Sequence, residues 1–461
     1  MQTGRKDLLW NYAATIMRVL SGIIILPITL RLLPPEEMGL WAIFLSLTTI
    51  TSLLDFGFTS SFSRNVTYVF SGVKELKANG YGEVEEGHVD YGLLKSLLSS
   101  MKFFYGIIAL IFLLIFLVAS PFYFLPILEK FSGDHAPVLI AWFLFGFVLA
   151  YELYTYYYGN ILTGCGKIKT MQQITVLTQS IRIIVTIVLL LLNMGLLALV
   201  LGMLIGDLIN RILSYNAFYD RSIRQNLRIA QSGKAIDVIK IIAPNSIKIG
   251  LNVFGGFLRS KAIVLIAPYY ITLSDLGSFG ISRTMVDVIT SLGGTWFITF
   301  YPQLSQYIVR DRMNDVKRLY IKSMLVSVAA FVLLGCGMIL FGNPILVLIK
   351  SKTFLLCGSY LLLMLIFSFL EQNQGIATNI LLAQNEVPFF KSALLSGINT
   401  VLIFWIMLKF THLGILSMIL SSGIALSLYV NWRWPLEVYK RLKLQPNDFV
   451  EVVKSYLVKL H

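Results

Sequence analysis

Apolar stretches of about 20 residues recur along the whole chain, each long enough to cross the ~30 Å hydrocarbon core of a bilayer. The stretch from Phe103 to Ala119 runs for seventeen residues without a charge. Of the 461 residues, 56% are apolar and only 13% are charged, too few to cover the surface of a soluble protein of this size. We therefore expect an integral membrane protein. The predicted spans are 9–30, 39–63, 96–119, 137–158, 171–192, 194–216, 241–270, 277–304, 323–345, 353–374, 391–409 and 411–431.

Lysine and arginine are unevenly divided between the two sides of this arrangement. Twelve spans place both termini on one side, and 25 of the 38 basic residues then lie on that side, 5 on the other and 8 within spans. Because basic loops stay in the cytoplasm, we expect both termini to be cytoplasmic. The same bias accounts for the net charge of +14 without a nucleic-acid partner.

Two sequence matches indicate an internal repeat. Residues 33–41 resemble residues 271–279, and each segment carries an acidic residue two positions before a glycine that is expected to open the next helix. The segment Glu152…Asn160-Ile161-Leu162 resembles Glu371…Asn379-Ile380-Leu381. Both matches join helices six apart, which predicts two parallel six-helix repeats. The predicted divisions are an N-terminal bundle at 1–216, a cytoplasmic linker at 217–240, a C-terminal bundle at 241–431 and a basic cytoplasmic tail at 432–461.

Sequence motifs of covalent chemistry are missing. The run Gly164-Cys165-Gly166-Lys167 approaches a P-loop but lacks its first glycine and its final Ser or Thr, and no G-x-S-x-G occurs. The three cysteines form no C-x-x-C pair and the four histidines are scattered. We expect no enzyme, no catalytic residue, no metal site and no cofactor other than a coupling Na⁺ or H⁺.

Charged residues within the spans carry the functional signal. A centred Arg or Lys costs at least ~2.5–3.5 kcal/mol unless water, a partner or a ligand receives it. On a helical projection, Lys248 and Arg259 fall on one stripe of the seventh span with Gly255 and Gly256, and Arg18 lies on a similar stripe of the first. These stripes, with polar faces on the second and eighth spans, predict a wet cationic cavity between the halves. The predicted substrate-binding residues are Arg18, Lys248, Arg259 and Arg283, and the predicted cavity polar or ion-binding residues are Asn11, Asp55, Asn245, Asn252 and Asp287.

Each of these assignments has a structural alternative. Small and polar residues also pack membrane helices together. Asp287, four residues after Arg283, would neutralise it. Asp55 has no charged partner one turn away, which suits a coupling ion. Lys261 points away from Arg259 on the projection and is expected to snorkel or to pair elsewhere.

The other charges within the spans are assigned structural roles. Asp207 and Arg211 have the spacing of an ion pair on one helix, and Glu152 and Glu371 reflect shared architecture. Lys102 and Arg182 lie near the cytoplasmic side, where long side chains snorkel. The tyrosines at 151, 154 and 156–158 suit an interface belt, with sugar stacking as the alternative.

Taken together, the helix count, the acidic-x-Gly turns, the Asn-Ile-Leu segments and the basic stripe of the seventh span resemble the polysaccharide-lipid flippases. These include the O-antigen flippases of the multidrug/oligosaccharidyl-lipid/polysaccharide (MOP) superfamily, which also contains the MATE drug exporters. The resemblance implies an all-α, MATE-like fold of twelve transmembrane helices in two six-helix pseudo-repeats around a central cavity.

The resemblance also implies a function. The substrate would be an undecaprenyl-pyrophosphate-linked oligosaccharide, moved by alternating access from the cytoplasmic to the outer face of a bacterial inner membrane during lipopolysaccharide or related polysaccharide synthesis. Expected partners are that substrate, bilayer lipid, and a polysaccharide polymerase with its chain-length regulator. The alternatives are a MATE-type drug exporter, against which a cationic cavity argues, and a membrane glycosyltransferase or O-antigen polymerase, against which the short external connections argue.

Overall fold

A computed structural model describes Trp10, Met17 and residues 24–76, 89–309, 312–383 and 388–450. These residues are almost entirely helical, and internal contacts divide the chain into an N-terminal unit, Met1–Val253, and a C-terminal unit, Phe254–His461. The division falls inside a helix of the seventh predicted span. The bundle, linker and tail boundaries given above stay predictions.

The N-terminal unit is built from long helices joined by short turns. Its described helices are α1 (24–32), α2 (Pro35–Leu54), α3 (Phe58–Phe70), α4 (Tyr91–Tyr123), α5 (Leu125–Leu128), α6 (His135–Thr155), α7 (Tyr157–Gly164), α8 (Ile168–Leu191), α9 (Gly195–Phe218), α10 (Arg221–Ile229) and α11 (Ala235–Phe257), in which the division between the units lies.

The C-terminal unit continues directly from α11. Its elements are a π-helical turn (Leu258–Ala262), α12 (Ile263–Ile266), a 3₁₀ turn (Ala267–Tyr269), α13 (Leu273–Val309), α14 (Met313–Leu348), α15 (Gly358–Ala383), α16 (Phe390–Phe410), α17 (Leu416–Ser427) and α18 (Val430–Arg441).

The surface of these helices is that of a protein in lipid. Within the described residues, seven helices are long and apolar enough to cross a membrane. Large apolar side chains stand exposed along them, as Leu110 (58%) and Val118 (68%) do on α4. The prediction of a multi-pass membrane protein is confirmed. The predicted spans from the second to the twelfth fall on largely helical segments, whereas most of the first span, 9–30, lies outside the described residues.

Several spans differ from the continuous helices that hydropathy predicts. The second breaks at Asp55–Gly57, where Phe56 (φ 47°) and Gly57 (φ 73°) both take left-handed backbone angles, and the fourth breaks at Tyr156 between α6 and α7. The tenth helix begins at Gly358 rather than at residue 353. The twelfth is interrupted before α18, which occupies the start of the predicted tail. Hydropathy measures burial in lipid, and it does not register these local backbone angles.

The two repeated turns both open a helix, as predicted. α2 begins at Pro35 with Glu36 and Glu37 in its first turn, and α13 begins at Leu273 with Asp275 in its first turn. Each helix therefore starts four residues before the glycine that was expected to open it. Acidic residues in a first turn are favourable because the amide groups there are unpaired and the helix dipole is positive.

Aromatic and aliphatic side chains fill the interior of the N-terminal unit. At one end, Phe124 stacks on Trp142 with ring centroids 3.9 Å apart, and the Trp142 indole donates to Ser120 Oγ at 2.9 Å. At the other end, α3, α4, α7 and α10 bury a second cluster that includes Ile161 and Leu162. The indole is buried at little cost because its N–H has a partner.

The C-terminal unit has an equivalent core, formed by α13, α14, α15 and α18 around Ile380 and Leu381. The chain beyond α18 is held by Lys317, whose Nζ lies 2.5 Å from the Asp448 carboxylate. That hydrogen bond holds the pKa of Asp448 below its usual value. The bond therefore contributes fully above the ordinary aspartate pKa of about 3.9, and the contribution is lost as the pH falls through the lower folded value.

Candidate functional site

The basic stripe of the seventh span ends on an irregular turn. α11 stops at Phe257, and the π-helical turn that follows carries Arg259, Ser260 and Lys261. A π turn forms hydrogen bonds over five residues rather than four, so it shifts the direction of the side chains that follow it. Such turns are rare and frequent at functional sites. The regular projection used for the sequence does not hold across this turn.

A close contact between two helix backbones positions the turn. A Cβ at Gly255 would lie 2.7 Å from the carbonyl oxygen of Ala393, and one at Gly397 would lie 2.7 Å from the carbonyl oxygen of Gly255. Only glycine allows α11 and α16 to approach this closely. Gly255 therefore serves to pack α11 against α16, which is the structural alternative given above for small residues of the stripe.

Next to this contact lies a small cavity inside the C-terminal unit, with a volume of about 30 Å³. That is room for one or two water molecules. Arg259 and Arg283 both line it, with Ser260, Ser368 and Ser422 supplying hydroxyl groups. Within the described part of the chain, the Nε of Arg259 is buried and has no hydrogen-bond partner.

Carboxylates only partly balance the cations around this cavity. Arg283 Nε lies 2.9 Å from Asp287 Oδ1, so the predicted neutralising pair is present, with the two side chains 33% and 47% exposed. Lys261 interacts electrostatically with Asp287 and Arg283, and Glu371, which lines the cavity, interacts with Arg283. Three cations thus face two carboxylates among the described residues of this cluster. The excess positive charge suits an anion.

The remaining residues predicted for the cavity fall where side chains are not described. Arg18 and Asn11 lie outside the described residues, as do the side chains of Asn245, Lys248 and Asn252, although the backbone of these last three is helical within α11. Their grouping with Arg259 and Arg283 stays a prediction.

Asp55 has partners that its position in a regular helix would not provide. It is 6% exposed, and at the break between α2 and α3 its Oδ1 accepts hydrogen bonds from the Tyr105 hydroxyl at 2.6 Å and from the Thr59 hydroxyl at 2.8 Å. The Thr59 amide donates to both carboxylate oxygens. The Asp55 carboxylate, at the end of α2, therefore satisfies the Thr59 amide in the first turn of α3, whose N-cap residue is Gly57. Whether it also binds an ion stays a prediction.

The Asn-Ile-Leu repeats occupy equivalent places in the two cores. Ile161 and Leu162 are fully buried in one, and Ile380 and Leu381 in the other are at most 1% exposed. Asn160 donates to the Tyr105 hydroxyl at 3.2 Å and so extends the Asp55 network. Asn379 instead donates to the carbonyl of Gly375 on its own helix. The repeat is thus one of packing rather than of two identical polar sites.

Two further groups of charges in the N-terminal unit differ from the sequence analysis. The predicted Asp207–Arg211 ion pair is wrong, because the Asp207 carboxylate interacts with Arg182 and Glu152 from two neighbouring helices. Arg211 instead lies over the Tyr158 ring, 3.6 Å from its centroid. Spacing along one helix cannot reveal partners on α6, α7 and α8.

Comparisons with known proteins show which solved structures have a similar fold. No family model matches the sequence, and no curated protein matches it. Solved structures do match. An inward-facing multidrug-resistance MATE family transporter of the MOP superfamily has a TM-score of 0.68 at 12% identity, covering 93% of this chain and 95% of that one.

Two other solved structures agree. The lipid II flippase MurJ in an inward closed conformation has a TM-score of 0.62 at 14% identity, covering 98% of this chain and 91% of that one. The MATE multidrug transporter DinF-BH has a TM-score of 0.58 at 12% identity, covering 97% of this chain and 96% of that one. At these identities the likeness concerns the fold alone. The predicted MATE-like, all-helical membrane fold is confirmed.

Proposed function

We propose that this chain is a flippase that moves a polyprenyl-pyrophosphate-linked oligosaccharide, such as an O-antigen repeat unit, from the cytoplasmic to the outer face of a bacterial inner membrane. The observation that carries the proposal is the excess of partly buried cations at the π turn, where Arg259 and Arg283 line one cavity of a chain with the fold of MOP transporters. A solved neighbour, MurJ, is described as a lipid II flippase.

The substrate class follows from the charge. A pyrophosphate needs several donors at once, and each guanidinium presents a fork of N–H groups that matches phosphate oxygens. Among the described residues, the Arg259 Nε has no hydrogen-bond partner and so can donate to a ligand. The small cavity cannot enclose an oligosaccharide, so we assign these two arginines to the phosphate end of the substrate and leave the sugars to the cavity predicted from the stripes.

The membrane potential would favour export of such a lipid. An inside-negative potential drives anions outward at about 2.3 kcal/mol per charge at 100 mV, or about 4–5 kcal/mol for two charges. A coupling Na⁺ or H⁺ remains part of the proposal, with Asp55 as the candidate carboxylate. A polymerase and a chain-length regulator are the proposed downstream partners, and cytoplasmic termini are the proposed orientation.

A MATE-type drug exporter is the second candidate, because two of the solved neighbours are MATE transporters. Many substrates of such an exporter would be organic cations. They would meet Arg259, Lys261 and Arg283 in lipid surroundings, where like charges repel strongly. The partly buried cations at the π turn therefore favour the flippase over this alternative.

Deletion of the gene separates a flippase from an enzyme. A flippase changes the side on which the lipid-linked glycan lies and leaves its covalent structure unchanged, so complete oligosaccharide should accumulate on its carrier at the cytoplasmic face. Mass spectrometry of the lipid-linked pool, with impermeant lectin labelling of spheroplasts, measures both properties. A glycan one sugar short, or a complete one already accessible outside, would refute the flippase and favour a transferase or polymerase.

Substitution of the two arginines that line the cavity tests the site itself. Arg259→Ala and Arg283→Ala should leave protein in the membrane at normal amounts and abolish surface glycan, and Arg259→Lys should restore it only in part because lysine lacks the fork. Arg312→Ala is the matched control, since Arg312 pairs at 2.7 Å with Asp315 and lies 52% exposed near the start of α14. Normal surface glycan in both alanine variants would remove these arginines from the mechanism.

A further inference from the structure

A second group of cations lies in the N-terminal unit, away from the cavity at the π turn. Lys102 on α4, Arg211 on α9 and Arg224 on α10 are brought together by a set of tyrosines. Lys102 Nζ lies 5.8 Å from the centroid of the Tyr219 ring. The guanidinium groups of Arg211 and Arg224 lie 5.6 Å and 5.4 Å from the Tyr215 centroid. We call these five residues the Lys–Arg–Tyr surface.

Helix geometry gathers these groups on one face. Arg211, Tyr215 and Tyr219 follow one another at intervals of four residues, so they stack along one side of α9 and its last turn. Tyr215 and Tyr219 are themselves stacked, with ring centroids 4.8 Å apart. α10 begins just beyond, after Asp220 caps it by accepting from the Ile223 amide at 2.8 Å. This cap and the packing of Ile223 against the core fix where Arg224 lies.

No described carboxylate forms an ion pair with this group. Asp207 and Asp220 lie four residues before Arg211 and Arg224, but neither is within ion-pair distance of the three cations, and Asp220 instead lies 3.8 Å from Lys167. Lys102 and Arg211 are close enough for their charges to interact. Within the described part of the chain, Arg211 Nη1 is buried and has no hydrogen-bond partner. Three cations held together without a directly paired carboxylate are stabilised when an anion joins them.

The surface around these cations faces lipid. Phe103 next to Lys102 is 47% exposed, Ile212 next to Arg211 is 58% exposed, and Ile107 and Leu208 one turn further into the span are each 40% exposed. Large apolar side chains exposed on this scale mark contact with acyl chains. Two tyrosines of this region are also partly exposed, Tyr215 at 39% and Tyr154 at 40%, and Tyr215 lies beside Arg224 of α10. That combination is typical of the headgroup level of a bilayer.

We propose that the Lys–Arg–Tyr surface binds the phosphate of an anionic glycerophospholipid, whose acyl chains lie along the exposed apolar side chains of α4 and α9. The phosphodiester supplies the missing negative charge, Arg211 and Lys102 bind its oxygens, and Arg224 reaches it from α10. The lipid would tie α10 to the lipid-facing surface of α4 and α9. The proposal is independent of what the chain transports.

Charge complementarity selects this occupant. A zwitterionic lipid brings a cation of its own to a site that already holds three, whereas an anionic headgroup brings one net negative charge. Basic groups at the cytoplasmic ends of membrane helices attract anionic headgroups for the same reason. The charge bias of the sequence predicts that this end of the unit lies in the cytoplasm.

Native mass spectrometry of the purified full-length protein tests the proposal, with phosphatidylglycerol and phosphatidylcholine as the two probes. Wild-type protein should retain one phosphatidylglycerol at lower lipid concentration than phosphatidylcholine. Lys102→Gln/Arg211→Gln should weaken phosphatidylglycerol binding on the order of 10-fold to 30-fold and leave phosphatidylcholine unchanged. Inorganic phosphate at the same concentration should not displace the lipid.

A matched control exists in the C-terminal unit. Lys409 lies 5.0 Å from the centroid of the Trp405 ring, also among exposed apolar residues, so Lys409→Ala removes a cation from an aromatic ring at a lipid-facing position. This variant should bind phosphatidylglycerol as the wild type does. If the first double variant does not fold, Lys102→Gln/Arg224→Gln replaces two exposed side chains and should show the same loss.

Four outcomes would overturn the proposal. Equal retention of the two lipids by wild-type protein would mean that no anionic site exists. Wild-type binding in the folded double variant would place the site elsewhere. Displacement by inorganic phosphate would indicate a site for a free anion, and preference for undecaprenyl phosphate over phosphatidylglycerol would make it a substrate site.

Discussion

Removing one hydroxyl group tests the buried Asp55 network. In Tyr105→Phe the ring stays in the core while Asp55 loses its 2.6 Å hydrogen bond. Asn160 loses the oxygen that accepts from it at 3.2 Å. A hydrogen bond to a charged group contributes about 1.5–3 kcal/mol, and the buried carboxylate has no water to replace it. For a unit of this size, each kcal/mol lowers the thermal midpoint by about 2–4 °C, which predicts a decrease of roughly 3–12 °C.

The assay is thermal denaturation of both variants in the same detergent or nanodisc. Tyr320→Phe is the matched control, since Tyr320 is fully buried in the core of the C-terminal unit and its hydroxyl has no hydrogen-bond partner among the residues that the structure describes. Removing that hydroxyl should leave stability unchanged or raise it. Equal midpoints for Tyr105→Phe, Tyr320→Phe and wild type would refute the claim that the hydrogen bond to Asp55 stabilises the fold.

Three further results are expected. Gly255→Ala should lower the thermal midpoint because the new methyl group meets the backbone of α16, whereas Gly337→Ala on α14 meets nothing within 4 Å and should be neutral or slightly stabilising; equal effects would refute the close approach. Cysteines at Ser132 and Ser232, in a cysteine-free background, should differ in labelling by an impermeant thiol reagent in intact cells, with Ser132 accessible outside; equal labelling would refute the topology. Asp448→Asn should make the chain after α18 easier to cleave in limited proteolysis at neutral pH, as should acidification of the wild type below the carboxyl pKa; unchanged cleavage of the variant would show that this ion pair does not hold the segment.

The sequence predicted the broad architecture because the bilayer imposes a simple rule. Every backbone amide in lipid must be paired within a helix, so a long apolar stretch such as Phe103–Ala119 is expected to form a transmembrane helix. The structure places this stretch within α4. Comparison of residues 33–41 with 271–279, a separate argument, found the equivalent turns where α2 and α13 begin. The repeated Ile-Leu pairs at 161–162 and 380–381 likewise proved to be equivalent core positions.

The sequence did not predict where the helices depart from regular backbone geometry. The projection of Arg259 and Lys261 assumed a regular helix, and the π turn at Leu258–Ala262 ended it. The sequence shows no charged partner for Asp55 one turn away, and it did not reveal that Tyr105 on α4 donates to this carboxylate, nor that the Thr59 amide does so after the break at Phe56 and Gly57. Such irregularities depend on which neighbouring helix accepts a side chain, and periodicity along one helix contains no information about neighbours.

The sequence by itself thus determined that this chain crosses a membrane repeatedly, because apolar length and charge bias are properties of each segment alone. Only the tertiary structure decided which charges meet. Asp207 and Arg211 are four residues apart on α9, yet the first faces Arg182 and the second stacks on Tyr158. In lipid a charge must find its partner within the protein, and the packing of several helices, rather than spacing along one of them, determines which partner is within reach.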